Sequence, residues 1–183
     1  MKILLASASP RRKELMEKAG FSIEIKPSDT DENIVFDGNV GEYVMKLAEI
    51  KSIDASADDI VVSADTVVAI DNKILGKPEN RQAAYDMLKT LSGNIHSVYT
   101  GVCVKKGKVK EIFFEKTDVE FFDLTDEEIY KYIDTGEPFD KAGGYGVQSK
   151  ACIFVKRIDG DYYNVVGLPI AKVYRAVSKL VNV

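Results

Sequence analysis

Eleven residues constrain this chain more than any other segment: Ile60-Val61-Val62-Ser63-Ala64-Asp65-Thr66-Val67-Val68-Ala69-Ile70. The run is rich in β-branched residues and almost continuously apolar, the pattern of a buried strand. A carboxylate stands at its middle. An unpaired ion in that setting costs several kcal/mol of desolvation. Asp65 therefore calls for a cation, a metal or a set of N–H donors, unless Asp65 and Thr66 lie at a strand end and bond locally. The fold has to bury a central strand and still supply polar partners halfway along it.

Two further stretches break the pattern of the element that holds them. Val40, Val44 and Leu47 set an inward stripe at helical spacing, and Lys51 continues it. A lysine there either snorkels to the rim or points its ammonium into a cleft. Near the start, a strand is followed by Ser7-Ala8-Ser9-Pro10-Arg11-Arg12. The N–H groups and positive dipole end of a helix beginning at Pro10 favour an anion. Two arginines add bidentate oxyanion donors, although a basic first turn can also be a solvated face. Gly76-Lys77-Pro78 is a turn that would hold one lysine rigidly. Asp29, Asp31 and Glu32 form an acidic loop, which is either solvated or completes a carboxylate site for a hard cation. The glycines of Ala142-Gly143-Gly144-Tyr145-Gly146-Val147-Gln148 permit close backbone approach to a ligand or make a flexible connector. His96, the one histidine, has no evident triad or ligand partner and reads as structural.

The surrounding elements follow from local signals. Strands are expected at Lys2–Ala6 and Phe21–Ile25, with a helix from Pro10 to Ala19 between them. A polar loop should span Pro27–Asn39, and Asn39 caps a helix through about Ile53. Asn80 caps a second helix ending near Leu91. His96–Lys105 and Val109–Phe122 make a hairpin about Lys106-Gly107-Lys108. Thr125 opens a helix through a capping box with Glu128, and that helix stops at Gly136. Pro138–Ser149 reads as loop. Ala151–Ile158 and Tyr162–Val166 read as a hairpin about Asp159-Gly160. Leu168-Pro169 opens a last helix with Ile170, Val173, Tyr174, Val177 and Leu180 on one face. The sum is an α/β fold with a mixed β-sheet flanked by helices, and 183 residues suit a single domain, 1–183, or two packed lobes.

Composition excludes several functions. With 25 Lys and Arg against 29 Asp and Glu, the net charge is −4, which argues against duplex nucleic acid or an anionic membrane as partner. One histidine and two distant cysteines, Cys103 and Cys152, exclude a Cys/His zinc cluster and a disulfide framework. The apolar run Ile3–Ala6 is too short for a signal peptide, and no stretch approaches the ~18 apolar residues of a membrane span. A cytoplasmic protein is expected. Cations, carboxylates and a helix-start anion site, without a nucleophile–histidine pair, fit metal-assisted attack of water on a phosphate better than acyl transfer.

Several of these segments together resemble one family. Ser7-Ala8-Ser9-Pro10-Arg11-Arg12, Ala64-Asp65-Thr66-Val67-Val68, Gly76-Lys77-Pro78, Leu91-Ser92-Gly93 with His96 and Thr100-Gly101-Val102, Lys141 to Gln148, and Asn164-Val165-Val166-Gly167-Leu168-Pro169 occur in the order found in the Maf family of nucleoside triphosphate pyrophosphatases. The resemblance spans almost the whole chain. It implies two lobes around a central cleft, a fold related to the inosine triphosphatases, a divalent cation (Mg²⁺ or Mn²⁺), and commonly a homodimer. It implies hydrolysis of a nucleoside triphosphate to the monophosphate and pyrophosphate, with Asp65 as proton acceptor. Arg11, Thr66 and Gln148 match positions that set base preference and look like the branch acting on dTTP and UTP. Ser7, Arg12, Lys51 and Lys77 match cleft residues expected to meet phosphates. Glu32 and Asp65 are the expected metal ligands. The sequence departs from the family at Ser149, where glycine is usual, at Ser52, where alanine is common, and at Asp71-Asn72, whose second position is usually glycine. The alternative is a nucleotide-binding regulator of cell division with little turnover.

Overall fold

The computed structural model describes residues 2–31 and 34–181. Seven strands form one mixed sheet: β1 (Ile3–Leu5), β2 (Ile23–Ile25), β3 (Ile60–Ile70), β4 (Lys73–Leu75), β5 (Ile95–Lys106), β6 (Val109–Phe121) and β7 (Val155–Asp159). Their order is β2-β1-β3-β5-β6-β7, with β4 paired to β3. Among the described residues six α-helices accompany them: α1 (Pro10–Lys18), α2 (Val40–Ile50), α3 (Arg81–Leu91), α4 (Asp126–Ile133), α5 (Tyr162–Val166) and α6 (Ile170–Val181). The expected α/β class with a mixed sheet is thus observed. By internal contacts the chain divides into two compact units. The first comprises 1–66, 100–115 and 167–183, and the second 67–99 and 116–166.

In the first unit β1 pairs in parallel with both β2 and β3. The connecting helix α1 begins where the sequence provides for it. Ser9 is the N-cap, its side chain accepting from the Arg12 amide, and Pro10 fills the first helical position without needing a hydrogen bond. Gly20, at φ +84°, lets the chain leave in a left-handed conformation. Asn39 caps α2 through the Glu42 amide. This helix ends at Ile50, three residues short of the expected Ile53, and Lys51 becomes its C-cap. Leu4, Ala6 and Val61 form a small buried cluster against Ile53, while Val44, Leu47 and Ala48 bury the inner face of α2. Gly101 of β5 makes this packing close. A methyl group there would overlap the backbone of Val44 and Met45, so only glycine lets helix and strand approach. In α6, Val173, Ala176, Val177 and Leu180 are buried. Tyr174, expected inward with them, is half-exposed and packs its ring on Phe21 at 5.5 Å.

The second unit has a larger apolar core, which includes Val68, Leu88, Leu91, Val119, Phe121, Ile129, Tyr145 and Phe154. Asn80 caps α3, and Thr125 with Glu128 forms the expected capping box of α4. Two expectations are corrected here and one strand is added. First, β4, which the sequence reading did not include, follows β3 through a two-residue turn at Asp71-Asn72, with φ of +49° and +59°. Both residues are left-handed, as a tight hairpin turn requires, and Asp and Asn tolerate that region without glycine. Second, residues 150–154 form a 3-10 turn, so β7 begins only at Val155. Its buried side chains, Ala151 and Phe154, are three apart, the 3-10 period, rather than alternating. Third, Tyr162–Val166 is helix α5, not a hairpin strand. Gly160, at φ +126°, takes a positive backbone angle that suits glycine as the chain leaves β7. The Asp161 side chain accepts from the Tyr163 amide and opens the helical turn. That turn sends Asn164 inward, where its amide donates to the Val98 carbonyl and to Thr117 Oγ1, both at 3.0 Å.

Candidate functional site

The carboxylate in β3 has a cation. Lys51, at the C-terminus of α2, places Nζ 2.5 Å from Asp65 Oδ1. The two side chains are only 17% and 13% exposed, so the ammonium offsets much of the desolvation that the carboxylate would otherwise suffer. Neighbouring Ser63, two residues earlier on β3, donates to the Ala48 carbonyl of the same helix at 2.6 Å. Strand alternation thus turns Ser63 and Asp65 towards α2. The lysine that broke the apolar stripe of α2 and the aspartate that broke the apolar run of β3 answer each other.

Thr66, the next residue, meets a different set. Arg12 of α1 donates from NH2 to Thr66 Oγ1 at 3.0 Å. Its NH1 donates to the Ala64 carbonyl at 2.8 Å and to Ser7 Oγ at 3.2 Å, and its Nε to the Gly167 carbonyl at 2.9 Å. Thr66 Oγ1 also lies 2.9 Å from Thr100 Oγ1 of β5 and 3.3 Å from the Gly167 carbonyl. The guanidinium expected to greet a phosphate is engaged with four internal acceptors, tying the segment after β1, α1, β3 and Gly167 together. Ser7 Oγ accepts from the Ser9 amide at 3.3 Å as well as from Arg12. With both lone pairs taken, its hydroxyl has only a proton to offer, which suits an acceptor such as a phosphate oxygen. Arg11 is half-buried on the first turn of α1. Thr100 was not singled out in the sequence, because a buried threonine in a strand is ordinary and only its contact with Thr66 distinguishes it.

In the second unit, Lys77 is exposed on the Gly76-Lys77-Pro78 turn. That turn is held by the glycine-rich segment: the Gly143 amide donates to the Gly76 carbonyl at 3.0 Å. Gly143 has φ +69°, and a β-carbon there would come within 2.8–3.0 Å of the Val68 side chain. The segment is thus a packed brace and not a loose connector. Gln148 is exposed beyond it. Ser149, which replaces the family's usual glycine, has φ −106° and needs no left-handed conformation. It closes a turn on the Gly146 carbonyl through its amide at 3.0 Å and its Oγ at 2.8 Å.

His96 is structural in its setting. It is 1% exposed, packs edge-on against Phe121 and Tyr145, and shares a 2.7 Å hydrogen bond from Nε2 to the Tyr145 hydroxyl. Nδ1 has no hydrogen-bond partner among the described residues. Burial lowers its pKa to about 4 and outweighs the opposite pull of Asp118.

Among the described residues, no group of three or more His, Cys, Asp or Glu is placed to hold a metal ion. Glu32, one of the two expected ligands, lies outside the described residues. Asp65 remains as a carboxylate, and Mg²⁺ commonly binds through one or two carboxylates with substrate phosphates and water completing its shell. A carboxylate such as Asp65 is the kind of oxygen donor a hard cation takes. No described helix is long and apolar enough to cross a membrane.

Comparison with known proteins agrees with the pattern of residues. A dTTP/UTP pyrophosphatase of Bacillus pumilus is 51% identical, covering 96% of this chain and 95% of its own length. A dTTP/UTP pyrophosphatase of Carboxydothermus hydrogenoformans is 49% identical over 98% of both chains. The structure of a HAM1 protein from Coxiella burnetii aligns with 98% of this chain and 99% of its own, at 12% identity and a TM-score of 0.49. The Maf-like protein family matches residues 2–180, and the chain belongs to that family.

Proposed function

We propose that this protein hydrolyses dTTP and UTP to the monophosphate and pyrophosphate, by attack of water on the α-phosphorus. The observation that carries the reading is the Asp65–Lys51 pair, a charged couple built into the apolar centre of β3, in a chain about half identical to pyrophosphatases of that name. A structural strand has no use for such a pair, whereas a base needs a fixed carboxylate. Asp65 takes the proton of the attacking water from its Oδ2 side while Lys51 anchors Oδ1. Ser7 donates a hydrogen bond to a phosphate oxygen, and Lys51 and the amides opening α1 add positive charge beside it; Lys77 is a further phosphate-binding residue of the proposal. Arg12 supports this set from behind by holding Ser7. A divalent cation, Mg²⁺ or Mn²⁺, would be held by Asp65 with Glu32 and would neutralise charge on the triphosphate. Arg11, Thr66 and Gln148 set base preference, since a pyrimidine offers a carbonyl and an N–H that a glutamine amide can pair.

The test is a panel of canonical and modified nucleoside triphosphates assayed for pyrophosphate release with Mg²⁺ and Mn²⁺. The expected result is turnover favouring dTTP and UTP over purine nucleotides. Tight binding without pyrophosphate release would instead support a regulatory nucleotide-binding protein.

A further inference from the structure

We infer that Thr100 is a positioning residue for base preference, acting by locking the hydroxyl of Thr66; the inference rests on the role proposed for Thr66. A threonine hydroxyl has one proton and two lone pairs. At Thr66, one lone pair receives Arg12 NH2 at 3.0 Å. Its one proton has two acceptors in reach, the Gly167 carbonyl at 3.3 Å and Thr100 Oγ1 at 2.9 Å. The Thr66–Thr100 hydrogen bond forms whichever of the two hydroxyls donates, and it is the shortest of the three contacts that hold Thr66 Oγ1.

Thr66 therefore acts on a nucleotide from a position that these internal contacts set. Thr100 is completely buried and cannot touch a substrate itself. It fixes the rotamer of Thr66 and, through Thr66, the guanidinium of Arg12. Removing the Thr100 hydroxyl takes away the shortest of the contacts that fix Thr66 Oγ1, so Thr66 is held less rigidly and discrimination between bases falls.

The experiment compares Thr100→Val, which keeps the shape and removes the hydroxyl, with Thr100→Ser, which keeps the hydroxyl. For each, kcat/KM is measured for dTTP and for GTP, together with the melting temperature. Thr100→Val should lower the dTTP-to-GTP ratio by roughly three- to tenfold, the scale of one neutral hydrogen bond, and Thr100→Ser should hold it within about twofold of the parent on the same scale. A purely structural role would lower the melting temperature and both rates together while leaving the ratio fixed. If the valine protein does not fold, Thr100→Ala is read by the same ratio. An unchanged ratio in the variant lacking the hydroxyl, or a serine variant as impaired as the valine one, overturns the inference. Thr66→Val is measured alongside. A ratio moved by Thr66→Val and not by Thr100→Val overturns the inference while the role of Thr66 stands. Absence of pyrophosphate release by the parent protein overturns the functional reading itself.

Discussion

The Lys51–Asp65 pair can be tested by asking what each partner does without the other. At 2.5 Å and an effective dielectric of ~20, the gross attraction between the charges is about 6–7 kcal/mol. Desolvation of the two ions, several kcal/mol each, removes most of that gain. The intact pair is thus near neutral for stability, and the large effect comes from breaking it. Loss of one partner of a fully buried pair costs ~3–5 kcal/mol. Here the side chains keep 17% and 13% of their exposure, so water reaches the orphaned group and the cost falls to about 2–3 kcal/mol, the range of an unsatisfied polar group. At roughly 2–4 °C per kcal/mol for a chain of this size, Lys51→Met should melt about 4–12 °C below the parent. Asp65→Asn behaves differently, because its amide oxygen still accepts from the ammonium. It should melt close to the parent while turnover falls about a hundredfold or more, as when a general base is lost. The double variant leaves no orphaned carboxylate and should regain part of the stability that Lys51→Met loses. Thermal melts of the four proteins, with steady-state pyrophosphate release on dTTP, complete the cycle. Lys51→Met melting with the parent, or a double variant no more stable than the sum of the two single effects, would refute the coupling.

Three more outcomes follow from particular contacts. The folded protein keeps His96 neutral down to about pH 4, whereas the unfolded chain protonates it near 6.5; its contribution to stability is therefore complete above pH 6.5 and should be lost as the pH falls to 4, by roughly 3 kcal/mol. Urea unfolding across that window should show a shallower acid slope for His96→Leu than for the parent, and equal slopes would contradict the assignment. Gly101→Ala puts a methyl group onto the Val44 carbonyl and near the Met45 amide; backbone cannot give way as a side chain can, so the loss should reach about 3 kcal/mol or more, seen as a large drop in the urea midpoint. Gln148→Ala should lower the dTTP-to-GTP ratio of kcat/KM with little change in melting temperature, because Gln148 is exposed, and an unchanged ratio would remove it from base selection.

The parts of the fold that could be read from the sequence were those fixed by one or two neighbouring residues. Ser9-Pro10, Asn39, Asn80 and Thr125 with Glu128 each start a helix because a single side chain satisfies an amide within the first turn. What escaped depends on partners far along the chain or on an unaccustomed residue in a familiar role. Helix α5 exists because Asn164 reaches Val98 and Thr117, 66 and 47 residues away, which no local periodicity records. β4 was hidden because its turn uses Asp71 and Asn72 in left-handed conformations where a glycine would have announced it. The site divides in the same way. Asp65 and Lys51 were visible as violations of their own elements, and they turned out to be partners. Thr100 violated nothing.

Four N–H donors of Arg12 go to Ser7, Ala64, Thr66 and Gly167, which fixes the guanidinium beside the start of α1 and orients the groups it holds. Consecutive residues of β3 therefore head separate networks: Asp65 a charged one with α2, and Thr66 a neutral and guanidinium one with α1, β5 and Gly167. A strand whose successive side chains diverge keeps Asp65, the proposed proton acceptor, and Thr66, the proposed selecting group, adjacent in sequence yet held by different supports. Substitutions that loosen selectivity through Thr100 should leave the Lys51–Asp65 pair in place, and turnover on the preferred nucleotide should survive a loss of discrimination.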